Sequence, residues 1–597
     1  MLRVADYVMQ RLSNAGVEHL FQVTGRGTLF LSDALAKHTE LCSVSLHHEQ
    51  SCAFASISYA EQTGGLGVCL VSTGCASTNA MTGVLSAWQD GLSCFFISGQ
   101  NVLNETSRYT GIPLRTFGQQ EADIISLVTP ITKFARMITK PEEIVEVMDL
   151  ALDEALTGRK GPVWVDIPLD LQSSLIDPDQ ILPSTDSSPI EPKTLNLNDE
   201  VLQVIEALHT AKRPVVLTGR GVSASGAEGK LKAFIESWQL PLTFSASAPD
   251  IYGSSNELSI GSVGAMGCSR AGNFAIANAD LVLVLGSRLN SLTTGVDFCK
   301  FAREARVIVV DIDPVEHSKN TIEIDQFLES DVAYFLDKVS EHKAIISDTA
   351  WIEKCKHWKE VFMDLEPDFK SNNEVDLYQL ADSLSEKLPN PSTIVTDSGL
   401  VEVILPSSIR FADGMKCIHP ASQGAMGFAL PATIGAQHAS DNPVLAVIGD
   451  GSIMMNLQEL ESIRYQQLPI KIIVINNNVY SIIRRRQRDL FRKRTIGTDP
   501  ENGVSCPDFS ELAQCFGLDY LKIASIEELD SGLDTMFSRE GPVLCEIMGR
   551  VDQGYIETGH ARSSIDKRFV RRPLEDQKPF LSRDLFLREM LIEPIDQ

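Results

Sequence analysis

Two polar residues stand where apolar runs end: Asp450 after VLAVIG, and Asn477 after IKIIVI, 27 positions later. A carboxylate and a neutral amide oxygen are ligands for a hard cation. Mg²⁺ takes few protein oxygens and completes its octahedron with water and substrate phosphates. Gly449 and Gly451 flank the aspartate, which allows a sharp turn and lets a ligand approach the backbone. Ser452 then opens an amphipathic stretch expected to be helical, whose free N–H groups and dipole favour a phosphate. Gly-Asp-Gly is also an ordinary strand-to-helix turn, and alone it does not separate the two readings. The asparagine at the next strand end shifts the balance toward a metal.

Such a pair needs a particular scaffold. In a right-handed βαβ unit both strands deliver their carboxyl ends to the same edge of the sheet. The helix expected between them carries Ile453, Leu457, Leu460 and Ile463 on one face. The same alternation recurs along the chain. GVCLVS (67–72) and CFFISG (94–99) flank the helical STNAMTGVLSAWQD, and PVVLTG, LVLVLG and VIVVDID end in Gly or Asp turns. The pattern predicts an α/β protein of three doubly wound parallel-sheet domains, over 1–176, 197–340 and 377–550, with a tail over 551–597. The stretch 177–196, rich in Pro, Ser and Asp, reads as one linker, and the charged stretch 341–376 as a second, less clear one.

Composition narrows the class. The 597 residues are 43% hydrophobic and 22% charged, as in an ordinary globular protein with room for several cores. No run approaches the roughly 18 apolar residues of a spanning helix, and the N-terminus reads as an amphipathic helix without a signal-peptide core, so a cytoplasmic protein is expected. Twelve scattered cysteines without a CxxC give no zinc or thioredoxin pattern. A net charge of −27 argues against nucleic acid or anionic membrane as a general partner. Against that background RRRQRDLFRKR (484–494), with seven basic residues in eleven, stands out.

The opening stretch resembles the motif of thiamine-diphosphate enzymes, GDG followed by NN. That resemblance implies that Asp450, Asn477 and the Val479 carbonyl hold Mg²⁺, with Gly449, Gly451 and Ser452 at the diphosphate. Such an enzyme needs a carboxyl group hydrogen-bonded to N1′ of the cofactor's pyrimidine, in apolar surroundings that raise its pKa. The segment SVSLHHEQSCAFASISYAEQTG (43–64) offers Glu49 at a strand-to-helix junction. A glutamate in a first helical turn is by itself an ordinary partner of the helix dipole. The surrounding residues are similar to the family pattern HEQ-A-x-x-A-x-x-YA-x-x-TG, which implies that Glu49 is catalytic.

The resemblance covers almost the whole chain and is to the acetohydroxyacid (acetolactate) synthase-like branch. GPVWVDIPLDLQ (161–172) looks like the end of its pyrimidine-binding domain. In SQGAMGFALPATIGAQ (422–437), Met426 would be the apolar wedge that bends the cofactor, and the Gly424 carbonyl would receive the 4′-amino group. Gly25 would contact the cofactor, and Gln120 would be a second catalytic group. In the middle segment GAMGCSRAGNFAIANADLVLVLGSR (264–288) and VVDIDPVEHSKN through ESD (309–331) resemble FAD-binding stretches, implying contacts from Gly264, Gly267, Arg288, Asp311 and Asp331. A domain that keeps this fold and binds ADP or nothing is the alternative, since Gly219 and Gly221 do not complete GxGxxG. A flavin there would be structural. In this family the glutamate and the diphosphate site come from different subunits, so a homodimer or homotetramer is implied.

Departures fall on the acceptor side. RLNSL (288–292) stands where synthases joining two 2-oxo acids carry Arg-Phe-Asp-Asp-Arg, so Leu292 replaces their second Arg. Arg486 replaces their specificity Trp, Gln119-Gln120-Glu121 their Phe-Gln-Glu, and Val401 a His. Arg484, Arg485 and Arg486 are therefore candidates to clamp an anionic acceptor, with a solvated helix face or subunit salt bridges as the alternative. The segments 23–35 and 571–590 look like members of surface-polysaccharide pathways, which attach a two-carbon branch to a nucleotide-linked ketosugar. The expected activity is decarboxylation of pyruvate and transfer of the acetyl unit to a carbonyl acceptor. Acetolactate synthesis proper, cleavage of a dione by a flavin-containing relative, and a regulatory paralogue without turnover are the competing readings. A thiamine-free dehydrogenase is weaker, lacking a dinucleotide fingerprint.

Overall fold

The computed structural model describes residues 1–181, 198–344, 348–363, 366, 369, 373–563 and 568–595. Three six-stranded sheets, parallel throughout, organise the chain. The first is built from His19–Gln22 (β1), Cys42–Ser45 (β2), Gly67–Val71 (β3), Cys94–Gln100 (β4), Phe134–Met137 (β5) and Val163–Pro168 (β6), in the order β2-β1-β3-β4-β6-β5. The second comprises Pro214–Thr218 (β7), Leu242–Ser245 (β8), Ser259–Val263 (β9), Leu281–Leu285 (β10), Arg306–Asp311 (β11) and Gln326–Glu329 (β12), in the order β9-β8-β7-β10-β11-β12. The third comprises Thr393–Thr396 (β13), Lys416–Ile418 (β14), Val444–Gly449 (β15), Lys471–Asn476 (β16), Asp519–Ile523 (β17) and Val543–Met548 (β18), in the order β14-β13-β15-β16-β18-β17. The outer sheets share one winding. The middle sheet reverses direction between β7 and β10, where a doubly wound sheet opens its ligand crevice. Central strands such as LVLVL are buried along their whole length, as parallel strands covered on both faces must be.

The first and third domains share one hydrophobic core. Helix Glu49–Thr63 (α1) crosses Ala429–Ala439 (α5), and both are rich in small residues that let the backbones approach. The Ser58 hydroxyl donates to the Ala432 carbonyl at 2.6 Å, and the Phe54 and Phe428 rings meet edge to face at 5.2 Å. A Cβ on Gly435 would lie 1.9 Å from the Ala55 carbonyl oxygen. Gly435→Ala is therefore expected to destabilise the protein by about 1–3 kcal/mol, through forced separation of the helices. Chemical denaturation checks this, and an unchanged midpoint would contradict the crossing.

Two sequence expectations change, and a third falls mostly outside the described residues. Of the first linker, 182–196 lies outside the described residues. The second is no simple linker: Thr349–Met363 (α3) buries Trp351 and Trp358 against the middle domain, its charged residues lying on the outer face. Nor is the C-terminal segment an appendage. Helix Arg583–Glu589 (α7) sets Phe586 against Phe274, and Glu589 accepts from Lys354 of α3 at 2.6 Å.

Candidate active site

Asp450 sits just beyond β15 and is buried. One carboxylate oxygen accepts from the Gly451 N–H at 2.7 Å, and the other from the Asn477 N–H at 3.1 Å and that of Asn478. The aspartate thus joins the ends of β15 and β16, as the right-handed crossover requires. Burial pushes its carboxyl up to about 6, against the three N–H groups that favour the anion. Asn477 is oriented by donating to Ser481 Oγ at 2.7 Å while its Oδ1 accepts from the Val479 N–H at 3.2 Å. Gly451 has no room for a side chain, because a Cβ would lie 1.9 Å from the Tyr480 ring. A Cβ on Gly449 would meet nothing within 4 Å. The turn is therefore open on one side and lined by a carboxylate, an amide and main-chain oxygens. That donor set suits Mg²⁺ with a diphosphate, which supplies the missing oxygens.

The helix expected after Ser452 is interrupted. Ile453–Met455 forms one 3₁₀ turn, and the α-helix spans only Glu459–Tyr465. Ile453, Leu460 and Ile463 are still buried and Leu457 packs beside them. Ser452 therefore begins a short turn, and an α-helix dipole is not part of this site. Asp397, which the sequence reading missed, contributes instead. It is buried beyond β13 and accepts from the N–H groups of Ser398 (2.9 Å), Gly427 (3.0 Å) and Ala429 (2.8 Å), setting the turn of half-buried Met426. Its signal was the strand end TIVTDSG, the same pattern that marked Asp450. Gly424 adopts φ +60, the left-handed region that glycine tolerates. Asp397→Ala is expected to cost about 1–3 kcal/mol for each amide left unpaired, which thermal unfolding would measure.

Glu49 opens α1, with His48 capping the helix by accepting from the Gln50 N–H at 3.2 Å. The third domain of the same chain pins this turn: buried Glu459 accepts from the His47 N–H at 3.2 Å, and Ser51 donates to Asn456 Oδ1 at 3.1 Å. Neither Glu459 nor Asn456 was singled out by sequence, because each acts across domains. The expected apolar burial of Glu49 is not met within one chain. It is half-buried and accepts from Asn79 Nδ2 at 2.9 Å. Among the described residues no hydrogen bond joins Glu49 to Asp450 or Asn477. Gln120 is exposed at φ +60, its carbonyl oxygen filling the position of a Gly74 Cβ at 1.8 Å. At Gly25 a Cβ would lie 2.4 Å from that of Ser72.

Four of the seven basic residues of the cluster lie on Ser481–Leu490 (α6), and carboxylates hold three of those four. Arg484 and Arg488 both reach Asp552 at 3.0 Å, and Arg485 reaches Glu557 at 2.7 Å while stacking over Tyr555. In the single chain Arg484 and Arg485 are thus engaged by carboxylates, because 552–557 folds back beside them. Arg486 is exposed and has no ion-pair partner among the described residues.

A cavity of about 740 Å³ opens where the three domains meet, lined by Gly219, Gly221, Arg288, Leu292, Asp311 and Asp331 among others. Its size falls within the roughly 300–1,000 Å³ of cofactor sites. Arg288 donates to the Gln89 carbonyl at 2.8 Å and to Ser422 Oγ. Asp331 caps the following helix by accepting from the Ala333 N–H at 2.8 Å. Gly264 and Gly267 are not in the wall. Gly264 is held by Asn273 and Gln577, and a Cβ on Gly267 would lie 1.8 Å from the Val403 carbonyl oxygen. Their part is to bring the wall together.

Two sheets of one winding, a nucleotide-type middle sheet and an acidic strand-end turn beside an amide fit the architecture expected of a thiamine-pyrophosphate enzyme. The comparisons agree: residues 2–127, 201–339 and 397–547 match the N-terminal TPP binding domain, the central domain and the C-terminal TPP binding domain of thiamine pyrophosphate enzymes. The chain is 31% identical to acetolactate synthase isozyme 2 large subunit of Escherichia coli (strain K12), over 91% of this chain and 95% of that protein. It is 30% identical to an acetolactate synthase large subunit of Parasynechococcus marenigrum (strain WH8102), over 91% and 87%. An acetolactate synthase of Arthrospira platensis is 26% identical over 94% and 96%. The chain belongs to the thiamine-pyrophosphate-dependent, acetolactate synthase-like enzyme family. Among the described residues no helix is long and apolar enough to cross a membrane.

Proposed function

We propose that this enzyme decarboxylates pyruvate and transfers the two-carbon acetyl unit to a carbonyl acceptor. The supporting observation is the open, acidic turn at Asp450, locked to Asn477, on a sheet that packs against the domain carrying Glu49. Thiamine diphosphate, when bound, supplies the carbon nucleophile and electron sink for decarboxylation. Asp450, Asn477 and the Val479 carbonyl hold Mg²⁺, and the backbone at Gly449 and Gly451 leaves room for the diphosphate. Met426, on the turn that Asp397 sets, would support the cofactor, and Glu49 would hold a proton at the pyrimidine N1′. FAD would be held in the interdomain cavity by Arg288, Asp311 and Asp331 as a structural group. Measuring CO₂ from pyruvate with the apoprotein, Mg²⁺ and thiamine diphosphate tests the donor half.

Glu49 is half-exposed in the single chain, and Tyr109, Ile112, Leu114 and Phe117 expose apolar surface on the segment leading to Gln120. Both features support a homodimer or larger assembly in which a second copy covers Glu49. Sedimentation analysis should find no stable monomer at micromolar concentration.

The acceptor side favours an anionic compound, such as a nucleotide-linked ketosugar, over a second 2-oxo acid. Arg486 offers a guanidinium without an ion-pair partner among the described residues, and Leu292 offers no charge for a second carboxylate. Exposed charges are screened over about 10 Å at 0.1 M salt. Arg486→Ala is therefore expected to raise KM for such an acceptor, more at low salt than at high, and to leave decarboxylation of pyruvate nearly unchanged. An unmoved acceptor KM, or acetolactate formed faster than any branched sugar, would return the enzyme to acetolactate synthesis proper, the activity its relatives are named for.

A further inference from the structure

His419 follows β14 and is buried, with 4% of its side chain exposed, yet neither ring nitrogen has a hydrogen-bond partner. It lines the interdomain cavity. A buried imidazole without partners is costly unless something fills its valences. The sheet order locates it. Asp311 and Asp331 follow β11 and β12 at one edge of the middle sheet, whereas Met266 and Gly267 follow β9 at the other. Gly267 lies against the Val403 carbonyl, Glu402 is the next residue, and its Oε1 stands 3.6 Å from His419 Nδ1. His419 therefore belongs to the third-domain wall of the cavity, beside Glu402, whereas Asp311 and Asp331 belong to the middle-domain wall. The Glu402 carboxylate is too far for a good hydrogen bond, but it favours the tautomer with hydrogen on Nδ1. Nε2 is left as an acceptor.

We propose that His419 Nε2 accepts a hydrogen bond from the ring half of a dinucleotide seated in this cavity, so that the site selects a two-part ligand over a mononucleotide. The inference rests on the flavin reading of the cavity. An isoalloxazine carries an imide N–H between two carbonyls on its outer edge, a donor that suits Nε2 and that ADP lacks. The test is titration of the full-length protein with FAD and with ADP, by calorimetry and flavin fluorescence, for wild type, His419→Ala and His419→Gln. Wild type should prefer FAD. His419→Ala should lose about tenfold in FAD affinity, one neutral hydrogen bond, with ADP affinity unchanged. His419→Gln, whose amide oxygen also accepts, should recover part of the loss, and the reduction potential of bound flavin should differ between wild type and the alanine variant. Equal FAD affinity and potential in wild type and His419→Ala would overturn the role of His419 while leaving the flavin site intact. Parallel loss of ADP affinity would make His419 a packing residue only. Failure of the wild type to bind FAD would overturn the flavin reading and this inference with it.

Discussion

Glu49→Gln should retain thiamine diphosphate while releasing CO₂ from pyruvate about 10² to 10⁴ times more slowly, the usual effect of losing a positioned acid–base group. The amide keeps the size of the carboxyl and can still accept from Asn79 Nδ2, the contact Glu49 makes at 2.9 Å. The turn itself is held by others: the His48 cap, and Glu459 at the His47 N–H. Binding and fold are thus expected to survive, and the missing property is a proton delivered to N1′. Calorimetry for the cofactor and CO₂ release for turnover separate the two. A glutamine variant keeping more than half of the wild-type rate would remove Glu49 from the chemistry.

The second large effect is expected at Asp450. Removing its side chain takes away the one carboxylate of the proposed Mg²⁺ set and strands the N–H groups of Gly451, Asn477 and Asn478. Asp450→Ala should therefore lose Mg²⁺-dependent retention of thiamine diphosphate and also stability, by about 1–3 kcal/mol per unpaired amide. Asp450→Asn separates these consequences in part, because its one amide oxygen can still accept from Asn477 and Asn478 while its NH₂ is set against the Gly451 N–H and the charge is gone. It should lose less stability than Asp450→Ala and yet bind the cofactor as poorly in the presence of Mg²⁺. Unchanged affinity of the asparagine variant by titration would reduce Gly-Asp-Gly to a turn.

Local residues announced a good deal of this protein. The continuous apolar runs could only be buried parallel strands, and strands ending in Asp or Asn had to meet at one sheet edge, which is why Asp450 and Asn477 were legible 27 residues apart. Glu49 stood out only through the resemblance of 43–64 to a family pattern, since a glutamate in a first helical turn is by itself an ordinary partner of the helix dipole. What depends on distant segments was not. No periodicity reveals that Glu459 grips the turn before Glu49, or that α1 and α5 cross closely enough to require Gly435. The 3₁₀ break after Ser452 was hidden because the same apolar spacing satisfies a continuous helix and an interrupted one. The basic cluster read as ligand-seeking until the chain brought Asp552 and Glu557 beside Arg484, Arg485 and Arg488. The charged stretch read as a linker became α3 because two tryptophans outweigh its charges once the middle sheet offers them a surface. Sequence determines what a strand end can hold, since covalent neighbours set the turn and its donors. Only the tertiary structure decides which polar groups are already satisfied and which, like His419, are left facing a cavity.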